Sequence, residues 1–461
     1  MKLEGIRVLD LSQFLPGPLM TMIMADHGAE VIKVEAPGEG DPGRHIGLGH
    51  GGHTTFFRNM NRGKKSVVLN LKDPAEREAL LALAETADVF VEAFRPGVVK
   101  RLGVDYAAVS ARNPRIVYAS ICAFGQTGPR RDLPAHDLAV EAYAGTVSVN
   151  LGNDGEPVMP FIPAADIASS LMALGGITMA LYRREKTGRG DYLDVAMLDS
   201  LLACLPNVLG PVFVEKRAPV PKHERSFGGS AFYRPYRTKD GRHVVLGAQE
   251  LKFVRNLLGE WGRLDLVPLA ERGPGPHQQP LMDFLQGQFE TRTQAEWEAW
   301  FAGRDIGFAP VRNLREAFDE EQVRERGMLL VDEAGIEHVG LPIRVADGKR
   351  AEPLARAAAT VTVLDREAIE AANAADLRGL LRHMPAVTVG ADPHRFGNGG
   401  PSLRGLGGNR VLLETDGVPA PSFYKVGSVS NTGRRFAEAE LIERIEILHG
   451  AASSLYGSDA L

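Results

Sequence analysis

The 461-residue sequence predicts an α/β protein: an open parallel-sheet large domain, a smaller α+β domain, and an α/β appendage at the C-terminus. Three observations carry this reading. Short apolar runs rich in Val and Ile alternate with helical stretches from residue 6 to residue 125. Beyond about residue 220 the pattern becomes strand, turn, strand and helix, and from about residue 351 its character shifts again. A chain this long exceeds one ordinary core, and the shifts predict domains at 1–215, 216–350 and 351–461.

The first strand is IRVLDL (6–11), and Gly17 and Pro18 then open a helix, LMTMIMADHG, that Gly28 closes. EVIKVE (30–35) is the next strand, completing a βαβ unit with parallel strands and a right-handed crossover. SVVLNL (66–71) follows, with a helix opening at Asp73-Pro74; then come DVFVEAF (88–94), a short helix after RPGVVKRLG, and RIVYASICAFG (115–125). Such alternation builds an open sheet that takes ligands at the carboxyl ends of its strands. Residues 163–188 form the clearest helix, with Ile167, Leu171, Leu174 and Leu181 recurring, Arg183, Arg184 and Lys186 in the last turn, and Gly188 ending it. Its many small residues predict close packing on both sides. In the smaller domain a turn at Asp240-Gly241 separates two strands, and QAEWEAWF is helical.

Composition excludes several functions. With 53 basic and 58 acidic side chains and a net charge of −5, the chain lacks the basic surplus of a nucleic-acid binder. Cys122 and Cys204 lie in apolar runs and read as core thiols of a reduced, cytoplasmic protein. The start, MKLEGIRVLDLS, lacks the pattern of a signal peptide, and no run approaches the roughly 18 apolar residues of a membrane helix. GHGGH, with His50 and His53, reads as a solvated loop rather than a metal site. The first turn, SQFLPGP, has no GxGxxG and no strand leads into a Walker lysine, which argues against dinucleotide and P-loop binding.

Two residues are candidates for chemistry. Asp166, in PFIPAADIASS, opens the long helix; its plain role is an N-cap, and its chemical role a carboxylate kept ionised by the positive helix end. His136, in LPAHDLAVEAYAG, precedes a helical run and reads equally as an idle histidine or a proton carrier. Arg101, Lys64 and Lys65 have the charge to hold phosphates, although single charges of this kind are usually solvated.

Seven collinear segments then match something specific: LEGIRVLDLSQFLPGP, GAEVIKVEAPGEGDPGR, NRGKKSVVLNLKDP, ADVFVEAFRPGVVKRLG, HDLAVEAYAG, ADIASSLMALGGITMAL and TGRGDYLDVAMLDS. Over residues 3 to 347 the chain resembles the family III CoA-transferases, which include formyl-CoA and carnitine CoA-transferases and α-methylacyl-CoA racemase. The resemblance implies acyl-CoA and a carboxylic acid as substrates, no permanently bound cofactor, no nucleic-acid or membrane partner, and an interlocked homodimer. It implies Asp166 as the nucleophile, forming an aspartyl-acyl anhydride, with His136 as a second base if the racemase reaction is run. It carries CoA contacts to Leu15, Leu69, Ala93, Phe94 and Arg101. An arginine common in the family is replaced by Ala36, so Lys33, Arg44 or Lys64 is expected to supply phosphate contacts. The glycine loop that covers the aspartate in formyl-CoA transferase is reduced to Gly228-Gly229.

The last 105 or so residues resemble something else. The helix before MPAVTV, then SLRGLGGNRV, LLETDGVP and IERIEILHGAASSLYGSDAL, are similar to the plug domain of TonB-dependent receptors. Plugs of that kind fill a β-barrel, whose alternating strands do not follow here. The expectation is therefore a plug-like appendage without its barrel, partly disordered over 392–408. It leaves open a binding or transport role, or a remnant without activity.

Overall fold

The computed structural model describes residues 2–50, 53–152, 154–332 and 335–343, and beyond these only the backbone of short strands between 360 and 449. Backbone contacts divide the chain into two units, Lys2–Leu329 and Leu330–Leu461.

The first unit is organised around six strands: β1 (Arg7–Asp10), β2 (Glu30–Glu35), β3 (Lys65–Val68), β4 (Val89–Glu92), β5 (Val117–Cys122) and β6 (Asp191–Ala196). Their order is β3-β2-β1-β4-β5-β6, and every pairing is parallel. The direction of stepping reverses between β1 and β4, which places a ligand crevice at the carboxyl ends of those two strands. Every residue of β4 and β5 is buried, as expected for central strands covered on both faces. Five of the six strands coincide with predicted apolar runs. β6 was not among them: as an edge strand its exposure alternates, and its Tyr192-Leu-Asp-Val pattern is too short to stand out.

On one face α1 (Pro16–Asp26) and the long helix α7 (Ala164–Thr187) pack Met20, Met24, Ala173 and Ile177 against Val8, Val31 and Val91. On the other, α3 (Pro74–Glu85) and α5 (Tyr106–Arg112) bring Leu80, Leu81 and Val109 against Leu9, Phe90 and Tyr118. α3 begins where the sequence predicts: Pro74 takes the first position, and the Asp73 carboxylate accepts from Ala75 N and Glu76 N. α7 ends at Gly188, left-handed at φ 69°.

α7 corrects two expectations. Within this chain it is buried on one side only, because Leu171, Met172, Met179 and Tyr182 remain 53%, 44%, 69% and 66% exposed. By length and composition alone it is also apolar enough to cross a membrane, with a window of mean hydropathy 1.5. Its Ala, Ser and Ile side is packed on the sheet, which is how a core helix passes that test. Cys204 is a third correction: Cys122 is buried, but Cys204 is exposed just beyond α8 (Met197–Ala203).

Within the same unit, Tyr233–Arg237, His243–Gly247 and Phe308–Pro310 make a three-stranded antiparallel sheet, with Gly241 at φ 76° in the predicted turn. All three tryptophans of the chain, Trp261, Trp297 and Trp300, gather near Phe289 and Phe301 in its core. Leu329–Val331 pairs with Glu337–Val339, and in the second unit Thr360–Leu364 pairs antiparallel with Ile445–His449. Val387–Val389 pairs with Pro401–Leu403, Glu414–Thr415 with Val418–Pro419 and Lys425–Val426 with Val429–Ser430, all antiparallel, while the helix expected before MPAVTV and most of 392–408 lie outside the described residues.

Candidate active site

The first turn after β1 is held from several directions. Asp10, fully buried at the end of β1, accepts from Ser12 N, Ser12 Oγ and Thr21 Oγ1, and Lys64 Nζ reaches it at 3.0 Å. Burial opposes its charge, yet Lys64 and Lys33 hold the Asp10 carboxyl well below the usual range. Burial also draws Lys64 down to about 8, against the pull of Asp10. Lys33 Nζ donates to Ser12 O at 2.9 Å and pairs with Asp41 Oδ2 at 2.7 Å; Asp41 Oδ1 in turn accepts from Phe14 N at 3.3 Å. Gly17 completes the turn, since a Cβ there would stand 2.2 Å from Ser12 Cβ.

This network occupies two of the residues expected to contact phosphate, and Glu35 ties down the third. The side chains of Lys33 and Lys64 are each only 2% exposed and spend their protons inside the protein. Arg44 forms a two-pronged pair with Glu35 at 2.8 and 2.6 Å and lies 4.0 Å over the Phe57 ring of α2 (Thr55–Asn61). An ammonium committed to a buried carboxylate cannot also meet a ligand phosphate without leaving that carboxylate bare, whereas Arg44, its side chain 26% exposed, is tethered to Glu35 through Nε and Nη2. Arg101 differs: it is exposed, in the last turn of α4 (Val98–Leu102).

The remaining expected CoA contacts follow the carboxyl ends of strands, three at the switch point and Leu69 at the edge strand β3. Leu15 follows β1 and precedes α1, Leu69 follows β3, and Ala93 and Phe94 follow β4, all partly exposed. Sequence reasoning overlooked Glu92 beside them. It is 1% exposed, and its carboxylate accepts from Phe94 N at 2.8 Å, holding that turn. Burial pushes Glu92 up to about 7, against hydrogen bonds from Ser120 and Phe94 and with Asp194 adding to the rise.

Asp166 and His136 stand on the two sides of a helix junction that Asp137 bridges. His136 is the residue before α6 (Asp137–Ala144), and Asp166 is the third residue of α7. Asp166 is therefore not the N-cap: Pro163 holds that position without a side-chain cap. The free N–H groups at the start of α7 are taken by α6 instead. Glu141 Oε1 accepts from Ala164 N at 3.1 Å, and Asp137 Oδ1 accepts from Ala165 N and Asp166 N at 2.9 and 3.0 Å. Asp137 and Glu141 are one helical turn apart on α6, and that i,i+4 spacing was the available signal for them.

The electrostatic consequence reverses the sequence expectation. Two carboxylates occupy the helix end meant to stabilise the Asp166 charge. Burial first, then Asp137 and then Glu141, raise its carboxyl to about 7. Burial and Asp137 raise Glu141 as well, against the donors at Ala164 and Thr146. A partly buried carboxylate with such a pKa is a stronger nucleophile and base than an ordinary aspartate.

The first turn reaches this junction. One helical turn beyond Asp166, Ser170 Oγ donates to Pro16 O, and the Phe14 ring meets the His136 ring edge-on at 5.7 Å. Phe14 has φ 61°, which costs a non-glycine residue ~1–3 kcal/mol. The Gly228-Gly229 segment is fastened rather than free, with Gly229 N bonded to Glu224 O and Gly229 O accepting from Gly275 N. Two open depressions of about 320 and 370 Å³ lie elsewhere, beside Arg7 and Glu30 and beside Arg189 and Asp191, at the amino ends of strands. Among the described residues no group of three His, Cys, Asp or Glu side chains is arranged to hold a metal.

Residues 3–357 match the family model for CoA-transferase family III, and residues 353–461 match that for the TonB-dependent receptor plug domain. Mouse succinyl-CoA:glutarate CoA-transferase is 34% identical over 333 residues, 71% of this chain and 76% of that protein. Acetyl-CoA:oxalate CoA-transferase of Acetobacter aceti is 43% identical over 354 residues (74% and 89%), and human alpha-methylacyl-CoA racemase 33% over 342 residues (72% and 84%). A crystal structure of a CAIB/BAIF family protein from Brucella suis superposes with a TM-score of 0.65 at 27% identity, covering 75% of this chain and 93% of that one. The chain belongs to the family III CoA-transferases.

Proposed function

We propose that the protein moves CoA from an acyl-CoA donor to a carboxylic acid through a covalent acyl group on Asp166. The observation that carries this is the position of Asp166 at the start of α7, partly buried and raised to about 7 by burial, Asp137 and Glu141. The ionised Asp166 oxygen attacks the thioester carbon. Collapse of the adduct expels CoA thiolate and leaves an aspartyl-acyl anhydride. The acceptor carboxylate attacks the aspartyl carbon of that anhydride and expels the donor carboxylate, leaving the anhydride of Asp166 with the acceptor. CoA thiolate then attacks the acceptor's carbonyl carbon, forming the new thioester and freeing the Asp166 carboxylate. Balance requires no redox partner. Leu15, Ala93, Phe94 and Arg101 would hold CoA at the crevice between β1 and β4, where this sheet order takes ligands, with Leu69 beyond them at the edge strand β3.

We place the large domain at 1–215, the small domain and its linkers at 216–350 and the plug-like segment at 351–461; the parallel sheet ends at Ala196 and the antiparallel sheet begins at Tyr233. A second copy of the chain is the partner that would cover the exposed apolar stripe of α7. A cytoplasmic site of action is part of this reading, because CoA thioesters are its substrates.

A second reading has its own support. A carboxyl near 7 on a helix capped by Asp137, the residue after His136, suits proton transfer at the α-carbon of a 2-methylacyl-CoA, with Asp166 and His136 as the two bases. Hydroxylamine trapping with mass spectrometry across a panel of acyl-CoAs separates the two. A hydroxamate on Asp166 supports transfer. Deuterium exchange at the α-carbon without loss of thioester supports racemisation. Native-rate turnover by a folded Asp166→Asn protein sinks both.

A further inference from the structure

We propose that Phe14 is a specificity-determining residue, whose ring closes the acyl site beside His136 and restricts it to short, unbranched acyl groups. The inference deepens the acyl-transfer reading and rests on it for the identity of the site.

Phe14 is one of three non-glycine residues with positive φ among the described residues, the others being Lys216 and Lys222 in the segment between the two sheets. A bulky side chain held left-handed calls for an explanation. Core packing does not supply one: Phe14 is partly exposed and belongs to none of the apolar cores on either face of the sheet. Its ring contact with His136 is a single edge-on pair, too weak by itself to hold the backbone in this conformation.

The backbone is held instead by buried charge. Asp41, 1% exposed, accepts from Phe14 N and pairs with Lys33, whose ammonium also grips Ser12 O. Asp10 fixes Ser12 from below, and Ser170 on α7 fixes Pro16 O. Residues on both sides of Phe14 are thus pinned, and the result is one ring directed at His136. His136 adjoins Asp137, which accepts from Asp166 N. Strain maintained without a packing gain, at the wall of a reactive junction, points to a role in what the site admits.

The test compares the full-length wild type with Phe14→Ala and Phe14→Gly. Alanine removes the ring and keeps the strain; glycine removes both. Acetyl-, hexanoyl- and 2-methylbutanoyl-CoA are offered with hydroxylamine, and kcat/KM is measured for each donor. Both variants are expected to raise the ratio of hexanoyl- or 2-methylbutanoyl-CoA to acetyl-CoA at least tenfold, chiefly through KM. Phe14→Gly is expected to melt higher than Phe14→Ala. A ratio that rises less than tenfold, or a uniform loss across all three donors, overturns the proposal. If wild type yields α-proton exchange and no hydroxamate, the transfer reading fails separately, and the size ratio is read from exchange. If neither reaction is seen, the same ratio is read from Kd values of unreactive acyl-CoA thioethers.

Discussion

Replacing Asp166 by asparagine should stabilise the protein at neutral and alkaline pH while abolishing acyl transfer. Raising a carboxyl from 3.8 to about 7 sets about 4 kcal/mol against its ionisation, at ~1.4 kcal/mol per pKa unit. Asp166 keeps some contact with water, so we take about half of that, ~2 kcal/mol, as its burden on the fold. The sign follows from proton binding. The native state holds this proton to higher pH than the unfolded chain, so native stability falls as pH rises from about 4 through 7. Asparagine, which does not titrate, escapes the loss. Melting curves of the two proteins should therefore diverge between pH 5 and pH 8, with Asp166→Asn higher by a few degrees at pH 8, given ~2–4 °C per kcal/mol for chains of ~150–250 residues. The trapped hydroxamate should vanish in the same variant. A melting difference that stays constant across this range would refute the view that charge burial at Asp166 opposes folding.

Asp137→Asn removes the second contributor to the raised pKa of Asp166, so the midpoint of the pH–rate profile for hydroxamate formation should move from near 7 to lower pH. It also weakens the cap on α7, and a melting loss equivalent to ~1 kcal/mol is expected. A profile that does not move would separate Asp137 from the chemistry. Lys64→Met leaves the buried Asp10 carboxylate without its nearest cation and should cost ~3–5 kcal/mol in urea denaturation. A wild-type denaturation midpoint, or a selective loss of CoA affinity in an otherwise stable protein, would return Lys64 to the phosphate-binding role that its burial argues against.

The class of fold was legible because strand and helix have different apolar periods, and β1, β2, β4 and β5 are short enough for their runs to show directly. Helix ends were legible for the same local reason: Asp73-Pro74 and Gly188 act on their own backbone within a turn. Asp166 and His136 could be named from the segments around them. What the residues around Asp166 do to it was not legible. The sequence places an aspartate near a positive helix end and suggests an easily ionised carboxyl. The structure brings Asp137 and Glu141, more than 20 residues away, onto that same end and turns the shift upward. Charge behaves in the same way at Lys33, Arg44 and Lys64, which look like ligand contacts until Asp41, Glu35 and Asp10 are found facing them. Local pattern determined which elements form and where they stop, since those depend on neighbours in sequence. Only the tertiary structure decided how each titratable group is charged, because burial and Coulomb forces depend on distance in space, and α6 meets α7 only after the chain has folded.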